Sequence, residues 1–149
     1  PSGAIERVIY ALLEKAASDS KKGKKPELPL WLAPTQVRII PLKEEFLEFA
    51  TTLAKKISDN NVRVDVDDRN ESIGKRIREA EKEWIRYILV IGEKEVNSTN
   101  LSIRDRHTGN TDEKSFESFI DEIKNQTQGK PFSGLNVPFY LSKRPQIMV

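Results

Sequence analysis

A chain of 149 residues is long enough for one domain with appendages and for a self-sufficient core. Charged residues make up 32% of it, yet the formal net charge is only +2, so the overall balance gives no sign of bulk electrostatic capture of nucleic acid. Cysteine is absent, which excludes a disulfide framework and thiolate metal sites. No apolar run approaches membrane-spanning length and no signal peptide is visible, so a soluble cytoplasmic protein is expected.

Ile5, Val8, Ile9, Leu12, Leu13 and Ala16 recur at helical spacing and predict an opening helix apolar enough to need a partner surface. Residues 18–27 carry Lys21, Lys22, Lys24 and Lys25 among Ser, Gly and Pro and read as a linker. Such a basic stretch either touches a phosphate backbone or serves as a solvated hinge. Trp31, ahead of Pro34, is expected to anchor it. Residues 36–42 form the first predicted strand, with Val37, Ile39 and Ile40 inward. Residues 43–58 form a helix with Phe46, Phe49, Ala50, Leu53 and Ile57 on one face, stopped by Asp59-Asn60-Asn61.

Val62, Val64 and Val66 alternate with Arg63, Asp65 and Asp67, the period of a strand. Ile73, Ile77, Ala80 and Trp84 then keep the period of a helix; Trp84, like Trp31, could stack on a base, but its place in the apolar stripe favours the core. Residues 87–91 are a continuous apolar run, expected of a strand covered on both faces. Residues 101–106 alternate again, and 107–110 turn the chain. Residues 112–125 predict a last helix, Phe116, Phe119, Ile120 and Ile123 inward and Asp112 and Glu113 complementing its dipole. The tail from 129 to 149 contains Pro131, Pro138 and Pro145 and reads as an extended strap pinned by Phe132, Phe139 and Tyr140. Whether Ile147 adds an edge strand is left open by the sequence.

Two right-handed crossovers would build a parallel core of three strands, and the next strand follows too soon to be anything but antiparallel. The predicted fold is α/β: a mixed, mostly parallel sheet of about five strands with three flanking helices, preceded by a separate N-terminal helix.

Arg69-Asn70-Glu71-Ser72 sits at the carboxyl end of a predicted strand, where open α/β sheets place their ligand sites. Asn70, Glu95 and Arg104 together make a donor and acceptor set suited to a base edge. A carboxylate accepts from guanine N–H groups, a guanidinium donates to carbonyls of guanine or uracil, and an amide does both. Such reading needs unstacked bases, as in an RNA loop. The bland alternatives are Asn70 as a helix cap, Glu95 in a solvated hairpin and Arg104 in a surface ion pair. Lys75, Arg76 and Arg78 open a helix whose amino end is already positive, so a phosphate or Asp65, Asp67 and Asp68 must offset them. Gly74 implies close approach of a ribose or of the sheet. His107, the lone histidine, reads as a turn residue. No nucleophile pairs with a base and no glycine-rich phosphate loop occurs, so no active site is evident.

The same residues carry a resemblance. D-D-R-N-E-S-I-G-K-R-I-R, I-G-E-K-E-V and L-S-I-R-D-R, preceded by L-P-L-W-L-A-P-T-Q-V, resemble the C-terminal class IIa anticodon-binding domain of archaeal-type threonyl-tRNA synthetases. Asn70 and Glu95 lie twenty-five positions apart and Glu95 and Arg104 nine, as in that family's pattern. The resemblance implies that Asn70, Glu95 and Arg104 read the second and third anticodon bases, G and U, of tRNA(Thr). Lys75, Arg76, Arg78 and Arg106 are the candidates for contacts with the RNA backbone. Ser2-Gly3-Ala4-Ile5-Glu6-Arg7 is similar to the end of the third class II signature motif, which implies that Arg7 contacts ATP in a full-length enzyme.

The implied organisation is a remnant of the catalytic domain at 1–17, a linker at 18–30, the anticodon-binding domain at 31–128 and the tail at 129–149. By the same resemblance, ATP, Mg and Zn belong to the catalytic domain of the whole ligase and none to this part. The implied partners are tRNA(Thr) and, for the full enzyme, a second copy of itself. Two alternatives stand beside this: a non-catalytic or editing paralogue using the domain for docking, and a flavodoxin-like small-molecule binder. The latter needs a phosphate-cradling loop after the first strand, which Pro41-Leu42-Lys43-Glu44 does not supply.

Overall fold

The computed structural model describes residues 3–146. Helix α1 (Ala4–Lys21) leads, followed by a short 3-10 turn at Leu30–Leu32 that ends the linker. Strand β1 (Val37–Pro41), helix α2 (Leu47–Ser58), strand β2 (Val64–Val66), helix α3 (Ile73–Lys82) and strand β3 (Tyr87–Ile91) form two crossovers. A four-residue helix α4 (Glu93–Val96), strands β4 (Asn100–Asp105) and β5 (Thr111–Ser115), and helix α5 (Phe116–Thr127) complete the body. The five strands lie in the order β2-β1-β3-β4-β5. The first two neighbour pairs are parallel and the last two antiparallel.

The period-two pattern sorts side chains into two layers. Val37, Ile39, Val64, Val66, Leu89, Ile91, Leu101 and Ile103 are buried together with Leu53, Ala54 and Ile57 of α2 and Phe119, Ile120 and Ile123 of α5. Opposite them a smaller cluster joins Ile40 and Ile88 to Ala80 and Ile85, with Ile77 against it. So α2 and α5 cover one face and α3 alone covers the other. On the α3 side, β4 and β5 present Ser102, Arg104, Thr111 and Glu113, all partly or fully exposed. That shelf has no helix over it among the described residues.

A buried ion network fastens the periphery. Arg38, fully buried on the α3 face, donates from Nε and Nη2 to Asp65 (2.9 and 3.0 Å) and from Nη2 to Glu83 (2.8 Å). Burial alone would lower the Arg38 pKa, but the bonds to Asp65 and Glu83 outweigh it and raise it, so the cation persists. Asp65 also accepts from Arg144 of the tail at 2.8 Å. Tyr140 pairs with Val66 in an isolated parallel bridge and its hydroxyl lies 3.0 Å from that of Thr51. The tail thus straps the open edge of β2, covering backbone groups that would otherwise template pairing.

Several expectations are corrected. The segment at 112–125 is not helical throughout: Thr111–Ser115 pairs with β4, and Ser115 caps α5 by accepting from the Ser118 amide at 3.2 Å. Thr-Asp-Glu-Lys-Ser lacks apolar alternation because an edge strand stays polar on both sides. Helix α1 runs on to Lys21, past the boundary placed at 17, and stops where Gly23 adopts φ 81°. A 3-10 turn at Glu44–Phe46 precedes α2, so its α-helical part starts at Leu47. Trp84 lies outside α3 and is half-buried, not core. Phe139 and Tyr140 pin the tail, whereas Phe132 is 45% exposed. Ile147 lies outside the described residues. The opening stripe is largely uncovered among the described residues: Ile5 is 75% and Val8 61% exposed, Leu12 is half-buried and Ala16 is buried.

Candidate nucleic-acid interface

The corner after β2 is built around Asp67. Its carboxylate, fully buried, accepts from Arg69 Nε (2.9 Å) and Nη2 (2.8 Å), and its carbonyl accepts from Arg76 Nη1 at 3.1 Å. Arg69 also reaches Glu79 on α3 at 2.7 Å. Ser72, not Asn70, is the N-cap, accepting from the Lys75 amide. With cap and corner fixed by others, Asn70 is left exposed, and its amide makes no hydrogen bond among the described residues. It lines a cleft of about 470 Å³ with Leu42, Lys43, Asp68, Arg69 and Arg76. Arg76 is buried there, and its Nε has no partner among the described residues.

Glu95 lies on the same carboxyl edge of the sheet. Leu42, which lines the Asn70 cleft, also packs on Gly92, so closely that a Cβ there would meet Leu42 Cδ1 at 2.7 Å. Gly92 is the N-cap of α4, and its amide donates to Glu95 Oε2 at 3.0 Å; the Ser102 hydroxyl donates to Oε1 at 2.6 Å. Burial pushes the Glu95 pKa up, but the Ser102 and Gly92 bonds outweigh it and hold it below the ordinary glutamate range. The carboxylate is therefore ionised and fixed in direction. Each oxygen accepts one hydrogen bond of this kind among the described residues, leaving lone pairs for an incoming donor. Neither a solvated hairpin nor a core residue describes it.

Arg104 lies on β4 two residues beyond Ser102, hence on the same face, opposite Ile88 of β3. Its Nε and Nη2 both meet Glu81 Oε1, at 2.9 and 2.8 Å, and its side chain is 36% exposed. The ion-pair alternative is thus real. It also orients the guanidinium, because Nη1 remains for another acceptor. Asn70 and Glu95 share one edge, Glu95 and Arg104 one face, and the three make no hydrogen bond or salt bridge with one another among the described residues.

The basic residues divide. Lys75 pairs with Glu71 at 2.9 Å and stays exposed, and Arg78 is exposed. Arg106 is buried and already used: its Nε donates to the Glu81 carbonyl (2.8 Å) and Nη1 to Pro26 (2.6 Å), tying the linker to α3. Asp65, Asp67 and Asp68 give their carboxylates to Arg38, Arg69 and Ser142, not to Lys75, Arg76 or Arg78. Gly74 has open space where a Cβ would stand, so sheet packing does not explain it. His107 is an exposed turn residue, with Nδ1 2.9 Å from Glu27. Trp31, half-buried, accepts from Arg63 through its carbonyl at 2.7 Å and carries Lys130 over its ring, anchoring the linker. Arg7 is exposed on α1. No group of three or more His, Cys, Asp or Glu side chains placed to hold a metal ion occurs among the described residues.

The supports Asp67, Glu81 and Ser102 were not identified from the sequence as functional. Only the strand alternation that sets Asp65 and Asp67 on one face hinted at the first.

Comparison with known proteins follows the same outline. The anticodon binding domain family matches residues 36–126. Threonine–tRNA ligase of Nitrosopumilus maritimus is 77% identical over 149 residues, covering 100% of this chain and 24% of the relative. That of Pyrococcus horikoshii is 51% identical over 146 residues, covering 98% and 23%. The chain spans about a quarter of the length of the curated relatives it matches. Among solved structures, the RNA binding domain of threonyl-tRNA synthetase from Cryptosporidium parvum Iowa II superposes with a TM-score of 0.63 at 26% identity. That match covers 72% of this chain and 26% of the other. No helix among the described residues is long and apolar enough to cross a membrane.

Proposed function

This chain belongs to the anticodon-binding domain family, and we propose that it is the tRNA-reading part of a threonine–tRNA ligase. In this reading it selects tRNA(Thr) by G and U at the second and third anticodon positions. The observation that carries it is the half-covered sheet: Glu95 and Arg104 lie on the face that α3 leaves open over β4 and β5, with the Asn70 corner at its edge. Glu95 and Arg104 are each held by a separate partner, so little ordering of these two remains to be done when a base arrives. Glu95 offers acceptors for guanine N–H groups, Arg104 Nη1 a donor for a carbonyl, and Asn70 either.

Binding rests on this geometry rather than on bulk charge, which suits a net charge of only +2. Lys75, Arg76 and Arg78, on the helix that borders the site, are the phosphate contacts in this reading; Arg106 serves the fold. The whole ligase would use ATP to activate threonine and would work as a dimer, with the uncovered α1 stripe packing on the remainder of the enzyme. Magnesium and zinc would belong to that remainder.

A direct test is fluorescence anisotropy with RNA hairpins carrying the tRNA(Thr) anticodon loop. Changing the second or third anticodon base singly is expected to weaken binding by about five- to 150-fold, the span of a good polar base contact by analogy with DNA readout. Equal affinity for all hairpins would remove base reading from this domain.

A further inference from the structure

Helices α1 and α3 end in the same backbone motif with opposite residue choices. After α1, the Lys24 amide bonds to the Asp19 carbonyl (3.1 Å) and the Gly23 amide to Ser20 (3.0 Å), with Gly23 at φ 81°. After α3, the Ile85 amide bonds to the Ala80 carbonyl (3.1 Å) and the Trp84 amide to Glu81 (3.2 Å), with Trp84 at φ 61°. This left-handed closing position favours glycine, because a Cβ crowds the following carbonyl. A tryptophan there is strained and persists only where its neighbours over-determine it. They do: Ile85 is buried in the small core, and the carboxylate of Glu83 is tied to buried Arg38.

The indole that this strain displays is half-buried and lines an open groove of about 400 Å³ with Lys25, Arg78, Glu81, Lys82 and Arg106. Arg78 and Lys82 are one helical turn apart, both exposed, and neither makes a salt bridge among the described residues. The one acid in the groove, Glu81, gives its carboxylate to Arg104. An aromatic face rimmed by unneutralised cations is the composition of a single-stranded nucleic-acid platform. Through Glu81 the groove adjoins Arg104, so both open on the same side of α3.

We propose that Trp84 is a stacking platform for an unpaired nucleotide of the bound RNA, with Arg78, Lys82 and Lys25 neutralising the adjoining phosphates. The inference rests on the anticodon reading above and extends it to a second site that accepts any base by its flat face.

The test uses two probes. Trp31→Phe leaves Trp84 as the sole tryptophan, since the chain has two. Titration with the matched hairpin should quench its emission in parallel with the anisotropy of labelled RNA. Trp84→Gly suits the left-handed backbone and so retains the fold, checked by its unfolding midpoint. It should weaken binding of matched and altered hairpins alike by about five- to 150-fold, that is, without changing discrimination between anticodons. Trp84→Phe should restore most of the affinity. Anisotropic binding at full strength with Trp84→Gly, and unchanged Trp84 emission, would overturn the platform and leave the anticodon reading intact. No binding of any hairpin by the parent chain would overturn both.

Discussion

Replacing Asp65 with alanine is expected to destabilise the domain by about 3–5 kcal/mol, the usual consequence of stripping one partner from a buried ion pair. Asp65 and Arg38 both have side chains without solvent exposure, and two of the three hydrogen bonds that hold Arg38 end on Asp65. After the substitution Arg38 would keep only Glu83, whose side chain is 51% exposed and a poor substitute for a buried counter-ion. Arg144 would lose its bond as well, loosening the strap over β2. Against a total stability of typically 5–15 kcal/mol, such a loss leaves the fold marginal. Urea denaturation measures it. The contrasting double replacement, Arg38→Met with Asp65→Leu, removes both charges and should recover most of the loss. A single Asp65→Ala variant within about 1 kcal/mol of the parent would mean that water reaches this pair.

Arg104→Ala should behave in the opposite way, sparing the fold and damaging recognition. Its pair with Glu81 is partly exposed on both sides, so its loss should cost no more than about 1 kcal/mol of stability. Affinity for the matched hairpin should fall by about five- to 150-fold, equivalent to roughly 1–3 kcal/mol. Hairpins with altered second and third anticodon bases should lose far less. An equal loss on every hairpin would make Arg104 a phosphate contact.

How far the sequence could reveal this differs from element to element. The three parallel strands were legible because Val62, Val64 and Val66 alternate and residues 87–91 are uniformly apolar, patterns that burial imposes directly. Strand β5 was hidden because an edge strand of Thr-Asp-Glu-Lys-Ser buries almost nothing, and its acidic residues imitate a helix start. Helix α4 was hidden by its length of four residues. At the site, spacing brought Asn70, Glu95 and Arg104 to notice, but not what fixes them. Ser102 and Glu81 act between separate elements, and Asp67 holds the corner through Arg69, two residues on; no local period encodes such partners. Trp84 fits a helical stripe by spacing alone; only the backbone shows that the helix has already ended. Arg106 looked equivalent to Arg78 as a basic residue, yet register turned one inward to the linker carbonyl and left the other in solvent.

The decisive measurement is a thermodynamic cycle between Arg104→Ala and replacement of the second and third anticodon bases, read by hairpin binding at fixed salt. Direct reading predicts that the two changes are coupled by at least about 1 kcal/mol, the variant no longer distinguishing the hairpins that the parent separates. Simple additivity, within about 0.5 kcal/mol, would show that this arginine never meets those bases.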